Sequence, residues 1–235
     1  MARLLGMKWL IWPLILASTL AKAQTLSTFD VRSHLELSGS TRQPIPPAVI
    51  WLKPLQQTPS PPGPTQEHYR LLQKNRMFTP HLLVVPVGSV VQFPNADPFF
   101  HNVFSLFDGK RFDLGLYEAG STKEVTFSRE GVSYIFCNIH PEMSAVVLSL
   151  STPLYAIADK NGAFHLREIS SGDYELHLWM EGVPESVLEK FTRRVHLTPD
   201  AGDLGKLAIP PIKERPVSHP NKFGQPYDQD AKPIY

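Results

Sequence analysis

Residues 136–143, FCNIHPEM, hold the only cysteine of a 235-residue chain, with a histidine three positions after it and a methionine six. A thiol means different things in different compartments, so the N-terminus bears on this stretch first. Residues 1–23, MARLLGMKWLIWPLILASTLAKA, carry Arg3 and Lys8, an apolar run from Trp9 to Ala17, then Ala21-Lys22-Ala23. A basic start, a short apolar core and an A-x-A end mark a cleavable secretory signal. A membrane anchor needs about 20 apolar residues. This run is shorter and interrupted by Pro13, and no cysteine follows the cleavage position to carry a lipid. The expectation is a soluble exported chain from Gln24, without stable membrane insertion after cleavage, and the A-K-A ending fits a bacterial periplasm.

That compartment is oxidising. A lone cysteine there is an intermolecular bridge, a reactive liability or a metal ligand. A buried cysteine used as a small apolar residue is common, but that use does not predict the histidine or the methionine. Charge adds little: 23 basic and 22 acidic residues leave +1, with no basic stripe, which excludes nucleic acid as an expected partner.

Twenty-three prolines argue against long helices. Eight fall in residues 44–64, and residues 56–67 read as an extended Pro-rich linker. Six fall in residues 210–235, and 211–235 reads as a disordered tail with little apolar content. Between them stand HLLVVPV, SVVQF, KEVTFS, VSYIFC and SAVVLSL, then AFHLREI, YELHLWM and RRVHLT. Several alternate apolar and polar residues at the period of a half-buried strand. Gly88, Asp108-Gly109, Asn161-Gly162 and Ser171-Gly172-Asp173 supply turns. Strands at that spacing without intervening helices predict an all-β sandwich or barrel. PESVLEK (184–190) has room for one helical turn.

One thiolate, two imidazoles and a weak thioether make the donor set of mononuclear blue copper. Zinc competes, but methionine is a poor zinc ligand and Cys/His zinc sites usually take more than one thiolate. The second imidazole must come from elsewhere among nine histidines. His101 stands out in FPNADPFFHNVFS (93–105), where Pro94, Asn95, Asp97 and Pro98 make a tight approach to a strand start. His81, in FTPHLLVV, is expected to be structural, and His165 and His177 are assigned no chemistry.

HNVFS together with CNIHPEM resembles the cupredoxins, with the C-x2-H-x2-M spacing of amicyanin rather than plastocyanin. The stretch 93–143 also resembles bacterial cupredoxin-domain proteins of the methylamine utilisation type. The resemblance covers residues 68–151 and implies a Greek-key β-sandwich holding one type 1 copper ion. By position, His101, Cys137 and His140 are the short-bonded ligands it implies, and Met143 the long axial one. It further implies that Asn102 ties the two ligand loops together and offers a backbone N–H to the thiolate. Asn138 stands where many relatives carry Ser or Thr, so the cross-loop bond is expected to differ.

YAIADKNGAFHLREISSGDYELHLWMEG (155–182) resembles the second half of a carboxypeptidase regulatory-like module, a small transthyretin-like sandwich. The first half of that pattern is absent after residue 150 and matches FDVRSHLELSGSTRQPIPPAVIWLKP (29–54) instead. The expectation is one sandwich split in two, residues 25–55 plus 152–210, with the copper domain inserted between. AVIWL (48–52) then has to pair with or pack against strands from 152–210.

A closed site with four protein ligands leaves no position for a substrate, and the chain shows no nucleophile elbow or phosphate loop. The functional expectation is therefore a periplasmic one-electron carrier, not an enzyme, that exchanges electrons with an unidentified redox protein partner such as an oxidase or dehydrogenase. The alternative is a non-redox copper-binding or docking module. Phe99, Phe100, Phe104, Phe107 and Pro141 are expected to divide between the core and a surface patch where an exposed His140 edge meets partners.

Overall fold

The computed structural model describes residues 27–39, 44–56, 68–106, 109–210 and 220–227. The expected signal (1–23), Phe107, most of the linker (57–67) and the stretches 211–219 and 228–235 lie outside the described residues. No helix among the described residues is long and apolar enough to cross a membrane.

The protein is all-β, as its alternation predicts. Chain order begins with β1 (Thr28–Leu37), β2 (Ala48–Pro54), β3 (Tyr69–Arg70), β4 (Leu72–Lys74), β5 (Met77–Thr79) and β6 (Leu82–Pro86). It continues with β7 (Val90–Pro94), β8 (His101–Ser105), β9 (Phe112–Tyr117), β10 (Thr122–Thr126), β11 (Gly131–Cys137) and β12 (Ser144–Leu150). The last group is β13 (Tyr155–Ile157), β14 (Ala163–Ser170), β15 (Gly172–Met180), β16 (Arg193–Leu197) and β17 (Asp203–Ile209). The helical turn expected in PESVLEK is α1 (Glu185–Leu188).

Two sheets drawn from β3 to β12 share one buried cluster. A five-stranded sheet runs β6-β12-β11-β8-β9, and a three-stranded sheet runs β10-β7-β3. Val85, Val103, Ile135, Cys137 and Val147 from the first join Tyr69, Val91, Phe93 and Val125 from the second in one buried cluster. Strand β6 runs parallel to β12, and β3 parallel to β7, so the chain crosses over between sheets rather than running as a simple meander.

A second pair of sheets runs β13-β2-β15-β16 and β14-β1-β17. Residues 28–54 are central to both. Ile50 aligns with Ala156 on one side and Leu178 on the other, and β1 is antiparallel to β14 and parallel to β17. Asn161-Gly162 turns the chain against β1: Leu35 N–H donates to Gly162 O at 2.8 Å. Gly162 has φ +98°, and a Cβ there would meet Leu35 O at 2.3 Å, so only glycine fits.

Strand β12 belongs to two cores. Its Ala145 and Val147 face the first cluster, while Val146, Leu148 and Leu150 pack with β2, β14 and β15 in the second. Burial on both faces explains why SAVVLSL reads as an almost continuous apolar run.

Residues 220–227 correct one expectation. They lie within the tail read as disordered, yet Lys222 N–H donates to Asn138 Oδ1 at 2.9 Å and Tyr227 OH to Cys137 O at 3.1 Å. The partners lie 84 and 90 positions away in the chain, out of reach of any compositional reading.

His81 joins the two halves. Its Nε2 lies 2.8 Å from Glu181 Oε1, and its Nδ1 lies 3.1 Å from Ser144 O. The bond to Glu181 holds the imidazole above the ordinary histidine range, outweighing partial burial. A raised folded-state pKa means the contribution is complete below about pH 6.5 and is lost as pH rises through the folded value. The stability difference between wild type and His81→Ala, from denaturant titrations, is therefore expected to be largest at acid pH and to vanish at alkaline pH. A difference that grows with pH would show that the pair does not form.

Candidate metal centre

Three of the four expected ligands converge. One donor atom each from His101, Cys137 and His140 lies within 4.8 Å of the other two, and all three residues are buried. Cys137 Sγ is 3.6 Å from His101 Nδ1 and 3.5 Å from His140 Nδ1. An ion bonded at about 2.0–2.3 Å to nitrogen and sulfur can span such edges. Met143, 1 % exposed, lies in the same buried cluster as Cys137. Soft sulfur with two imidazoles fits one copper ion.

Local folding explains the convergence. Cys137 ends β11, aligned with Val103 of β8, and His101 starts β8. The loop between β11 and β12 closes on itself: Cys137 N–H donates to Met143 O, and Met143 N–H to His140 O. Asn138 N–H donates to Asn102 O at 3.2 Å, linking the two ligand loops through backbone. The Asn102 side chain turns away, donating from Nδ2 to Asp113 Oδ1 at 2.7 Å on β9.

Burial pushes the Cys137 thiol up, and backbone N–H groups of Asn102, Ile139 and His140 partly offset this by stabilising the thiolate. Burial also lowers both imidazoles; for His140 the neighbouring His101 charge adds to the effect. Neutral imidazoles keep a lone pair for a metal, and binding must displace the thiol proton.

Asp97, which sequence reasoning passed over, orients His101. Its Oδ2 lies 2.9 Å from His101 Nε2, directing Nδ1 toward the sulfur. The Asp97 N–H donates to Asn95 Oδ1, so PNADP forms a local turn that presents the carboxylate. Burial would raise this carboxyl, but the Arg76 N–H, His101 and the Asn75 N–H outweigh it and hold it low. Those two amides belong to the β4–β5 turn, where Asn75 and Arg76 have φ of 55° and 56°. The only local signal for Asp97 is an acid four residues before a histidine.

The remaining expectations sort by burial. His140 is 3 % exposed, so its imidazole is almost wholly covered. The ring of Phe99 packs beside both histidines, at centroid distances of 5.3 and 5.6 Å. Phe104 is fully buried and belongs to the core, whereas Phe100, the residue before His101, is 54 % exposed. His81 lies outside the cluster, and His165 and His177 turn to Asp30 and Glu175.

No protein-family model matches the chain, and no curated protein matches it. Part of it is similar to solved copper proteins. A purple cupredoxin from Nitrosopumilus maritimus is 26 % identical over 35 % of this chain and 99 % of its own, with a TM-score of 0.33. A copper-containing nitrite reductase from Thermus scotoductus SA-01 is 23 % identical over 35 % of this chain and 22 % of its own, with a TM-score of 0.34. A variant of amicyanin in its reduced Cu(I) form is 19 % identical over 37 % of this chain and 85 % of its own, with a TM-score of 0.34.

Asp97→Asn removes the carboxylate from His101 while keeping its shape. Copper(II) affinity, measured by competition with a chelator, is expected to fall about 10–100-fold, the range for loss of such an outer contact. Unchanged affinity would mean that Asp97 serves only the β4–β5 turn.

Proposed function

We propose that the chain is a periplasmic type 1 copper protein of the cupredoxin kind and acts as a one-electron carrier. His101, Cys137 and His140 hold the ion, with Met143 as the weak axial donor. The observation that carries this reading is the buried triangle of one sulfur and two imidazole nitrogens within 4.8 Å. Bound copper supplies the exchange of one electron between its +1 and +2 states.

The protein's own groups hold the donors in place for both states. The Asp97 carboxylate and the loop bonds of Cys137 and Met143 fix the ligands in advance, so little has to rearrange when charge changes. The N–H groups around Cys137 Sγ stabilise the thiolate once its proton has left. Electrons pass to or from a redox protein partner, and the exposed Phe100, next to His101 in sequence, is where such a partner can approach.

The proposal extends to organisation and kinship. Residues 25–55 and 152–210 are one regulatory-like sandwich, interrupted by the copper domain at 68–151 and entered through the linker at 56–67. The strand pairings of β1 and β2 support this division, and its physical basis is that insertion is mild when domain ends lie close together. The chain's type is that of bacterial methylamine utilisation cupredoxins, with the sandwich positioning or docking the copper domain.

Copper(II) added to the purified chain is expected to give an intense visible band, narrow copper hyperfine splitting and a reversible couple. Cys137→Ser is expected to abolish the band, and Met143→Leu to keep it while raising the potential. A coloured Cys137→Ser protein would sink the assignment, and colour without a reversible couple would favour copper handling or docking. For the organisation, a chain lacking residues 24–55 is expected to keep its copper colour while 152–210 becomes sensitive to protease. A resistant 152–210 would refute the split.

A further inference from the structure

Residues 220–227 form a small self-supporting turn. Asn221 Oδ1 accepts from the N–H groups of Phe223 and Gln225, each at 3.0 Å, and Asn221 N–H donates to Gln225 O at 2.7 Å. This turn touches the Cys137 ligand loop directly and the His101 side of the metal centre through Asp113 of β9. On one side, Lys222 Nζ lies 2.9 Å from Asp113 Oδ2, while Asp113 Oδ1 accepts from Asn102, the neighbour of His101. On the other, Lys222 N–H donates to Asn138 Oδ1, and Tyr227 OH to the carbonyl of Cys137 itself.

Cys137 is thus gripped twice. Its N–H is held within the loop by Met143 O, and its carbonyl is held from outside by Tyr227. The single chain Asn102–Asp113–Lys222–Asn138 spans from the residue after the first ligand to the residue after the second. Asn138 offers its side chain to this turn rather than to the other ligand loop.

We propose that residues 220–227 are a strap that belongs to the metal centre, with Lys222 and Tyr227 as positioning residues that hold the Cys137 and His101 loops in register. The strap shields the Cys137 sulfur and slows loss of the ion, in addition to the contacts made within the copper domain. Its copper readout rests on the metal-binding reading above; its effect on the thiol does not.

The test compares the full chain with one ending at residue 219 and with Tyr227→Phe. Two rates are read: reaction of Cys137 with a soluble thiol reagent in copper-free protein, and copper loss to a chelator in loaded protein. The truncated chain is expected to react and release copper about tenfold faster, the lower end of what losing an outer contact costs. Tyr227→Phe, which removes one hydroxyl and leaves the fold intact, is expected to shift both rates the same way by less. Acceleration in the truncated chain alone also supports the strap and assigns the hold to its contacts other than the Tyr227 hydroxyl. Unchanged rates in both variants overturn it. If the full chain takes up no copper, the metal-site reading fails by itself, and the thiol rates still decide the strap.

Discussion

Burial of β12 on both faces is the constraint on which the rest of the protein hangs. Ala145 and Val147 fill one core, and Val146, Leu148 and Leu150 fill the other. Fully burying a large apolar side chain is worth about 1.5–3 kcal/mol, so neither sandwich can shift relative to this strand without losing several such contributions. A slip of one residue would exchange the two faces. The antiparallel ladder to β11 inherits that fixed register, with Ile135 opposite Ala145 and Phe136 opposite Ser144. Cys137 is the next residue, and the ligand loop is the connection between the two strands. The metal centre is therefore anchored at the end of a ladder whose strand β12 is buried on both faces.

Placing polar groups there carries a cost that the surroundings offset. Two imidazoles and a thiol are almost completely buried, and burial disfavours the charged form of each. The nearby Asp97 carboxylate keeps its charge because two backbone amides and His101 satisfy it. Without a metal, the three donors can all be neutral, a state that a buried cluster tolerates. The same preorganisation leaves the nitrogen lone pairs directed at one region and the sulfur ringed by N–H donors. Donors already shaped for an ion need little rearrangement on filling or on change of charge.

The link between the two halves is more than adjacency. Shared packing at β12 is supplemented by the His81–Glu181 pair and by the Lys53–Glu130 pair, 2.9 Å apart, between β2 and the turn before β11. Such exposed pairs contribute little each, so they orient the halves while the apolar contacts hold them. The strap at 220–227 adds a third kind of link, tying residues after the last strand to the Cys137 loop and to Asp113 of β9.

Sequence alone determined the strand content, because period-two alternation and Gly-containing turns are local signals, and it singled out FCNIHPEM because a lone thiol with those neighbours has little else to do. His101 was legible from the tight turn before HNVFS and from the likeness of the two stretches to one family. What sequence could not hold were contacts between distant residues. Asp97 looks like one more turn residue until Asn75 and Arg76 come round to satisfy it. An unremarkable Pro-rich tail hides Lys222 and Tyr227, whose partners lie 84 or more positions away. The aromatics around the ligands could be sorted into core and surface only by burial: Phe104 inward, Phe100 outward, His140 covered. Local pattern fixes which side chains a segment can offer; which of them meet, and which are sealed from water, is decided when non-local strands pack and exclude it.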